Sequence, residues 1–598
     1  MNEAKRSGET MVKRVQIFAA LLCFLAGSGA AMAQDASEAQ GANALVSYTS
    51  IFHSVEGENG IVAAQDALAA EVGRDILKKG GNVVDAAVAT GFALAVTHPQ
   101  AGNLGGGGFM VIKLANRPDP IAIDYREMAP GGASRDMFLD AKGDVDNNRA
   151  RFSALSSGVP GSVMGLTTAL EKYGSMPLKD VIAPAIRLAE HGFPVTRALS
   201  DALTAQSARL SKDPSSAAYF LKKDGSAYRP GETLVQKDLA KTLKEIAKHG
   251  ADGFYKGKVA DLIAAEMERD GGLITQDDLA NYVAVERRAI TGKFRGYGII
   301  SMPPPSSGGV HLVEMLNILE GYDLRGMGHN TADYMGALVE AMRRAYADRS
   351  EYLGDPDFFD VPVEKLTSPE YAEKLRKQIN YKKATKSSAV KPGLDAPYES
   401  KQTTHYSIMD KDGNAVSVTT TLNFFFGSGY SVDGAGFVLN NEMDDFSSKP
   451  GAPNGFGLIG AKANEIQPRK RPLSSMTPTI ITKDGKAIIA TGTPGGSTII
   501  NIVLQNVLNM LEFGMNPAQA NAMPKIHHQW FPDLVFTEPG IPLDSVAIME
   551  GRGFLFARNP DGALRQRAMG RTNSVMLYNG ALYGSADPRE PDDGAAAY

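Results

Sequence analysis

The chain has 598 residues, of which 43% are hydrophobic and 22% are charged, and its formal net charge is −5. This composition is typical of a globular protein, and the negative charge disfavours nucleic acid or an anionic membrane surface as a partner. The single cysteine, Cys23, lies close to the N-terminus, so we expect neither disulfides nor thiol chemistry in the rest of the chain.

The N-terminus has the pattern of a cleaved export signal. Lys13 and Arg14 precede the apolar residues 15–25, and Ala-Met-Ala at 31–33 is a small-residue cleavage site. The alternative is an uncleaved anchor, which the short apolar segment and the cleavage site both disfavour. We therefore predict that residues 1–33 are a signal peptide and that the mature protein is periplasmic or secreted in a bacterium, without a membrane anchor.

The hydrophobic pattern of the remaining chain predicts a mixture of helices and strands. Helices are expected at 63–80, at 83–97, where the chain is apolar nearly all round, and at 498–512. Another is expected through Val163–Leu170, ending at Gly174, and another after Ser306 or Ser307, either of which can cap it. The helical spacing of Met335, Leu338, Met342 and Ala345 predicts one more. Strands are expected at 110–114, 121–125, 404–409, 415–422, 477–482 and 487–490, with a further hairpin turning at Asn579-Gly580.

Residues 403–423, which read TTHYSIMDKDGNAVSVTTTLN, predict a β-hairpin. Its two strands flank the Lys-Asp-Gly turn at 411–413, where Gly413 can adopt a positive φ. A loop centred on Asp412 makes the numbers of paired residues sum to 824, which places Thr403 opposite Thr421 on the same face of the sheet. The sequence therefore predicts two hydroxyl groups that meet at the open end of the hairpin.

The segment before this hairpin suggests that the chain is cut there. Residues 380–402 are polar and lack an apolar period, which indicates a surface segment. Cleavage between Gln402 and Thr403 would give Thr403 a free α-amine. Such an amine has a pKa of about 7.7–8.0 and can serve as the base that a threonine hydroxyl needs to become a nucleophile.

Several motifs occur in a fixed order along the chain. They are NLGGGGFM at 103–110, REMAP at 126–130, PPSSGG at 304–309, TTHYS at 403–407, NNEMDDF at 440–446, RPLSSM at 471–476 and TPGGS at 493–497. Together they resemble the γ-glutamyltransferase family, also called γ-glutamyl transpeptidase or glutathione hydrolase, from about Ser54 to the C-terminus. The resemblance implies an α/β (α+β) fold, the four-layer αββα sandwich of N-terminal nucleophile hydrolases. It also implies that one precursor matures into a large subunit, 34–402, and a small subunit, 403–598.

The activity implied by the resemblance is cleavage of the γ-glutamyl bond of glutathione and related compounds. The acyl group would form an ester with Thr403 and pass to water or to an amino acid or dipeptide acceptor. A heterodimer of the two subunits is expected. No cofactor, metal ion or nucleic acid is expected as a partner.

The resemblance also assigns roles to individual residues. Thr421 would orient Thr403, Asn423, Glu442 and Asp445 would hold the substrate α-ammonium, Arg126, Ser474 and Ser475 would hold its α-carboxylate, and the N–H groups of Gly495 and Gly496 would form the oxyanion hole. An arginine suits a carboxylate because its planar fork makes two parallel hydrogen bonds. Singly, each of these residues has a common structural explanation, such as a loop cap, a turn, an ion pair or an ordinary strand threonine.

Other interpretations are open but less favoured. His405 as a base and His527-His528 as metal ligands are both rejected in favour of structural histidines, and the glycine run at 105–108 indicates close backbone packing rather than a dinucleotide loop. A related acylase that removes glutaryl groups would leave Asp445 unpaired, and a non-catalytic binding protein would not be cleaved at Thr403. Phe456 lies in an expected lid loop where some relatives carry tyrosine.

Overall fold

The computed structural model describes residues 51–390, 403–449, 451–455 and 457–598. The expected export signal, Gln402 with the expected cleavage bond, and Phe456 lie outside the described residues. In the described part of the chain, no helix combines the length and the hydropathy needed to cross a membrane.

Two antiparallel sheets of seven strands form the centre of the molecule. The strands of the described part are β1 Val55–Gly57, β2 Gly60–Ala64, β3 Gly107–Lys113, β4 Ile121–Tyr125, β5 Phe193–Pro194, β6 Thr233–Leu234, β7 Val285–Arg288, β8 Ile290–Phe294, β9 Tyr297–Ser301, β10 Thr404–Asp410, β11 Ala415–Thr421, β12 Thr479–Lys483, β13 Lys486–Gly492, β14 Ile526–His527, β15 Phe536–Thr537, β16 Asn573–Tyr578, β17 Ala581–Ser585 and β18 Gly594–Ala597. Sheet I has the order β18-β2-β10-β11-β3-β4-β7, and sheet II has the order β1-β17-β16-β13-β12-β9-β8. Two short pairs, β5–β6 and β14–β15, lie apart from them.

The α-helices of the described residues connect and cover these strands. They are Ala67–Lys78, Val83–Thr97, Asn147–Phe152, Ser162–Tyr173, Leu178–His191, Arg197–Leu210, Pro214–Phe220, Lys237–His249, Asp252–Tyr255, Gly257–Asp270, Gln276–Ala280, Gly308–Leu319, Leu324–Met327, Ala332–Tyr352, Val363–Leu366, Pro369–Arg376, Ile499–Leu511, Pro517–Ala522 and Leu543–Gly551.

The helices form the outer layers of an αββα sandwich, as the resemblance to the γ-glutamyltransferase family implies. Ala67–Lys78, Val83–Thr97 and Ser162–Tyr173 pack on sheet I, whereas Gly308–Leu319 and Ile499–Leu511 pack on sheet II. Helix Val83–Thr97 has the predicted bounds, begins with a capping box and has every residue buried, which explains why its pattern is apolar all round.

Side-chain hydrogen bonds cross the layer between the two sheets. Ser407 Oγ on β10 donates to the carbonyl of Asn573 on β16 at 3.2 Å, and Ser417 Oγ on β11 donates to the carbonyl of Thr491 on β13 at 3.1 Å. The Ser417 hydroxyl also accepts from the backbone N–H of Thr479 on β12 at 3.0 Å. These bonds satisfy the buried hydroxyls and join the two sheets directly.

The hairpin has the predicted register. Thr404 pairs with Thr420 and His405 with Thr419, so the numbers of paired residues sum to 824. Gly413 in the turn has a φ of 84°, the left-handed conformation expected for a three-residue loop. The confirmed register carries Thr403, just before β10, to the position across from Thr421.

One local prediction was wrong. The predicted helix at 63–80 begins only at Ala67, because Ala63 and Ala64 belong to β2, which is paired with both β10 and β18. Tertiary pairing thus overrides the helical preference of alanine.

Of the two serines predicted to cap helix Gly308–Leu319, Ser306 contacts the helix start. Its hydroxyl accepts from the Gly308 N–H at 3.1 Å, whereas the Ser307 hydroxyl donates to the Ser474 carbonyl at 2.8 Å.

Candidate active site

Thr403 lies at the open end of the hairpin, is 5% exposed and lines two cavities. The first cavity is lined by Arg126, Arg349, Thr403, Thr421, Asn423, Glu442, Asp445, Leu458, Ser474, Ser475, Met476, Gly496 and Ile499. The second is lined by Gln65, Thr403, Phe425, Pro494, Gly495, Ala568, Gly570, Arg571 and Glu590. All the sequence-predicted site residues that the structure describes therefore lie around Thr403.

Close backbone packing fixes the place of Thr421. Asn103 donates through Nδ2 to the Thr421 carbonyl at 2.8 Å, and a Cβ added to Gly106 would lie 2.0 Å from the same oxygen. Thr421 Oγ1 accepts from the N–H of Asn423 at 2.8 Å, and Asn423 turns the chain with a φ of 71°. The glycine run thus allows close packing, in agreement with the interpretation from sequence.

Arg126 is buried at the end of β4 and binds the acidic residues from the NNEMDDF motif. Its Nη1 pairs with Glu442 Oε1 and its Nη2 with Asp445 Oδ2, while Glu127 Oε2 lies 3.5 Å from Nη1. Its Nε donates to the Pro472 carbonyl at 3.2 Å. The groups expected to hold opposite ends of a substrate therefore contact one another directly.

Burial dominates the electrostatics of this cluster. It raises the pKa of Glu127 to about 7 although the Arg126 guanidinium opposes the shift. Burial also raises the pKa of Glu442 well above its ordinary value and raises that of Asp445, again against Arg126. The three carboxyl groups therefore hold protons more tightly than exposed ones, because the low-dielectric surroundings penalise their charged forms.

Two hydrogen-bond acceptors at the first cavity are left over. Asn423 donates through Nδ2 to the Asn441 carbonyl at 2.9 Å, which orients its Oδ1 away from that bond. Asn423 Oδ1 and Glu442 Oε2 are both buried, and no hydrogen-bond partner for either lies within the described ranges. Buried acceptors are normally satisfied, so this pair is suited to a donor such as an ammonium group.

Two serine hydroxyls at the first cavity can act as hydrogen-bond donors. Ser474 Oγ accepts from the N–H of Met476 at 3.1 Å, and Ser475 Oγ accepts from Arg349 Nη2 at 3.1 Å. In both bonds the hydroxyl is the acceptor, so each proton can be donated towards the cavity, as an anionic group requires.

Sequence reasoning missed Arg349. Its side chain projects from helix Ala332–Tyr352 and is buried on the first cavity. Arg349 continues the helical spacing of Met342 and Ala345, which the sequence pattern predicts to face the apolar core. A charged residue on an otherwise buried stripe was the signal that could have identified it.

Gly495 and Gly496 link β13 to helix Ile499–Leu511. Their φ angles are 147° and 57°, conformations that favour glycine. Gly495 lies on the second cavity and Gly496 on the first, each with Thr403. The predicted turn before a helix is present, with a 3-10 turn at Gly496–Thr498 between the glycines and the α-helix.

Comparison with known proteins gives the family. Residues 69–597 match the family described as Gamma-glutamyltranspeptidase. The chain belongs to this family. The resemblance drawn from the motifs is therefore confirmed, and so is the N-terminal nucleophile hydrolase fold.

Relatives of this γ-glutamyltranspeptidase-family chain carry two kinds of name. The "Glutathione hydrolase proenzyme" of Escherichia coli (strain K12) is 53% identical over 549 residues, which cover 92% of this chain and 93% of the relative. The structure of a cephalosporin acylase from Bacillus halodurans has a TM-score of 0.80 at 30% identity, covering 92% of this chain and 98% of that one. The structure of Helicobacter pylori gamma-glutamyltranspeptidase has a TM-score of 0.54 at 49% identity, covering 55% and 93%.

The histidines of this family member have structural surroundings. His405 is fully buried, with Nδ1 2.8 Å from Thr419 Oγ1 and Nε2 3.0 Å from Ser407 Oγ, and burial lowers its pKa to about 3. His527 is bonded to Asn501 and Gln529, and His528 Nε2 lies 3.2 Å from Asp533 Oδ1. These contacts agree with the interpretation of all three as structural residues.

Proposed function

We propose that the chain is an autoprocessing γ-glutamyltransferase that hydrolyses or transfers the γ-glutamyl group of glutathione and related compounds. The observation that carries the proposal is the first cavity, in which a buried threonine stands beside both an acceptor set and a donor set. Only a group with a free ammonium and a free carboxylate uses both sets, and the γ-glutamyl group is of that kind.

Maturation follows from the position of Thr403. Its Oγ attacks the carbonyl carbon of Gln402, the peptide C–N bond breaks, and the acyl group moves to oxygen as an ester. Water opens the ester, which leaves residues 34–402 and 403–598 as the two subunits and frees the α-amine of Thr403. That amine then serves as the base, because its pKa of about 7.7–8.0 matches the working pH.

Catalysis is acyl transfer through Thr403. Its hydroxyl gives its proton to the α-amine and attacks the γ-carbonyl carbon, while Thr421 orients it. The N–H groups of Gly495 and Gly496 stabilise the oxyanion, and the departing amine takes the proton as the C–N bond breaks. Water or the amine of an amino acid or dipeptide then attacks the γ-glutamyl ester and releases Thr403.

The two ends of the γ-glutamyl group occupy opposite sides of the first cavity. Asn423, Glu442 and Asp445 receive the α-ammonium, whereas Arg126, Ser474 and Ser475 receive the α-carboxylate. When the substrate binds, Arg126 pairs with its α-carboxylate and Asp445 with its α-ammonium. Each of the two side chains thus exchanges the other for a substrate group of opposite charge. A matched exchange of this kind leaves no buried charge without a counter-ion.

The cellular setting is part of the proposal. The signal-like residues 1–33 and the family's bacterial members support export to the periplasm or the medium. There the subunits form a heterodimer that acts on glutathione, with amino acids or dipeptides as acceptors.

Substitution of Thr403 tests the mechanism. We expect Thr403→Ala to remain a single chain on a denaturing gel and to show no turnover of a γ-glutamyl anilide, because the nucleophile for both steps is gone. N-terminal sequencing of the smaller wild-type chain should begin TTHYS. Thr404→Ala is the matched control, since Thr404 is buried beside it but lies on neither cavity. A cleaved and active Thr403→Ala protein would refute the mechanism.

The acylase named among the relatives is the second candidate. A glutaryl group keeps the carboxylate but lacks the ammonium. It would compete with Asp445 for Arg126 without offering a cation in exchange, and it would leave the buried acceptor of Asn423 without a partner. We expect kcat/KM for a γ-glutamyl anilide to exceed that for the glutaryl anilide by at least about 100-fold, because unpaired polar groups reject a substrate strongly. Equal or reversed values would favour the acylase.

A further inference from the structure

The positive charge of Arg126 is already balanced. Its guanidinium pairs with both Glu442 and Asp445, and Glu127 lies within 3.5 Å. Both Nη atoms of Arg126 are therefore already occupied. A substrate carboxylate that approached Arg126 alone would have to displace Glu442 or Asp445 from the guanidinium.

Arg349 is a second cation on the same cavity, and Asp445 attracts it only from beyond ion-pair distance. It is 4% exposed, and none of the carboxylates in the described segments lies within 4.0 Å of its guanidinium. Burial lowers its pKa to about 10, so it remains protonated near neutral pH. A buried charge without a counter-ion is costly, which makes an incoming anion favourable at this point.

The bonds of Arg349 lead to both carboxylate-side serines. Nη2 donates to Ser475 Oγ at 3.1 Å, and Nε donates to Ser307 Oγ at 2.9 Å. Ser307 Oγ in turn donates to the Ser474 carbonyl at 2.8 Å, and the Ser307 N–H donates to the same oxygen at 2.8 Å. One guanidinium thus aligns the whole Ser474-Ser475 turn, and the PPSSGG motif supplies the link.

We propose that Arg349 is the positioning residue of the carboxylate side of the site. It holds the Ser475 hydroxyl as an acceptor, so that the Ser475 proton points to the substrate α-carboxylate, and it supplies a positive charge that no described carboxylate contacts directly. The inference rests on the proposed function, because it assumes that the first cavity holds a γ-glutamyl group. Specificity for the carboxylate then depends on Arg349 as well as on Arg126.

Three acyl groups on one anilide separate this role from a general effect on stability. The γ-glutamyl group has both charges, the glutaryl group has only the carboxylate, and the 4-aminobutyryl group has only the ammonium. We expect Arg349→Met to lower kcat/KM for the γ-glutamyl and glutaryl compounds by about 10- to 100-fold, mainly through KM, because charged hydrogen bonds contribute on this scale. The 4-aminobutyryl compound should change less than about threefold, since its binding uses no carboxylate donor. An inhibition constant replaces kcat/KM for any analogue that is turned over too slowly.

Two control variants complete the design. Arg344→Met removes another buried arginine of the same helix. Arg344 pairs with Glu340 at 2.6 Å and does not line the first cavity, so its loss should affect the three compounds equally. Arg349→Lys keeps the charge but not the two-armed geometry and should recover part of the loss on the carboxylate-bearing compounds. Two bands on a denaturing gel show that each variant has folded and matured.

The outcomes are distinguishable. Equal losses on the γ-glutamyl and 4-aminobutyryl compounds would overturn the inference and leave Arg349 as a structural residue. If Arg349→Met does not mature, Ser307→Ala decides, because it removes the hydroxyl that joins Arg349 to Ser474 and keeps both the charge and the backbone bond. An unchanged ratio of the two compounds would then overturn the inference. A wild-type protein that turns over no γ-glutamyl compound would instead refute the proposed function.

Discussion

At Arg126, three motifs that are far apart in sequence meet at one guanidinium. The side chain is fully enclosed and pairs with Glu442 and Asp445, more than 300 residues further along the chain. Within a low-dielectric interior, neither the cation nor the acids can be removed singly without leaving a charge uncompensated. Under the proposed function, substrate selection at this site therefore depends on which partner each charge adopts.

Asp445→Asn should change the substrate preference. The amide keeps the shape of the side chain but removes the negative charge that the α-ammonium needs. We expect kcat/KM for a γ-glutamyl anilide to fall by about 10- to 100-fold, the range of one charged hydrogen bond. The glutaryl anilide should lose much less, because it carries no ammonium. Steady-state rates on both compounds give the comparison, and an equal loss on both would contradict the ammonium-binding role.

Sequence reasoning located most of the site residues but not their contacts. Thr403 and Thr421 were placed opposite each other by the centre of the hairpin turn, a local property that the chain encodes over about 20 residues. Direct pairing of Arg126 with Asp445 was not predicted, since it depends on how two distant loops approach each other. Arg349 was missed because helical spacing alone does not distinguish a core position from a cavity wall.

At the scale of elements, the glycine run before and within β3 sets the distance between strands. Added Cβ atoms would lie 2.1 Å from the Val438 carbonyl at Gly105, 2.0 Å from the Thr421 carbonyl at Gly106 and 2.5 Å from the Thr419 carbonyl at Gly108. No side chain fits these gaps without moving backbone. The run therefore acts on Thr421 through packing rather than through chemistry.

Gly106→Ala should destabilise the fold and displace Thr421. Overpacking a well-packed interior costs typically about 1–3 kcal/mol, and here the obstacle is backbone, which cannot rotate away. Gly132→Ala is the matched control, because its nearest neighbour would be Leu273 at 3.6 Å. Urea unfolding of the two glycine variants measures the difference in their free energies of unfolding. Both are made in the uncleaved Thr403→Ala background, so that each sample is one chain. Equal midpoints would contradict the packing argument.

Asp66 caps helix Ala67–Lys78 and makes the stability of the folded protein depend on pH. Its carboxylate accepts from the Ala69 N–H at 2.9 Å and from Thr97 Oγ1 at 2.7 Å, yet burial raises its pKa from 3.8 to about 6. Between these values the folded protein holds a proton that the unfolded chain has released. The stability that Asp66 contributes is therefore complete below pH 3.8 and lost as the pH rises to about 6.

Asp66→Asn should reveal this titration, since asparagine is also a good cap but does not ionise. Relative to the variant, the parent protein should lose about 1.4 kcal/mol for each pH unit across that interval. Urea unfolding of both proteins at pH values within and above the interval, again in the uncleaved background, measures the change. A difference in stability that does not vary with pH would refute the assignment.

Elements were predicted well where a single pattern dominates. Helix Val83–Thr97 and strand Ile121–Tyr125 have the predicted bounds, because each lies in an unbroken run of one periodicity. At residues 63–66 the alanines fit a helix equally well, and the strand assignment depends on β10 and β18, hundreds of residues away. The order of strands within the sheets could not be predicted for the same reason.

For the whole molecule, the proposed cleavage point divides strands that are neighbours. In sheet I, β10 and β11 from the second part lie between β2 and β3 from the first; in sheet II, β12 pairs with β9 and β17 with β1 across the same division. Every separation of the two parts would therefore break ladders in both sheets. The two products of cleavage should behave as one folded unit.

Gel filtration tests this expectation. The mature protein should elute as one species in native buffer, even after extensive dilution, while a denaturing gel of the same peak shows two chains. Urea should separate the chains only at concentrations that also abolish the β-sheet signal in circular dichroism, because dissociation requires unfolding. Release of the smaller chain from an otherwise folded partner would contradict the interleaved arrangement.

The hydrogen-bonded layer between the sheets has a consequence for catalytic alignment. Thr403 directly precedes β10 of sheet I, whereas Gly495 follows β13 of sheet II, so their spacing depends on how the sheets are offset. Directional hydrogen bonds such as that from Ser417 to Thr491 resist sliding of one sheet over the other. Such a displacement would leave several buried polar groups without partners, whereas apolar surfaces can slide slightly without that cost. Replacing Ser407 and Ser417 with aliphatic side chains would remove these cross-sheet bonds and with them the fixed offset between Thr403 and Gly495.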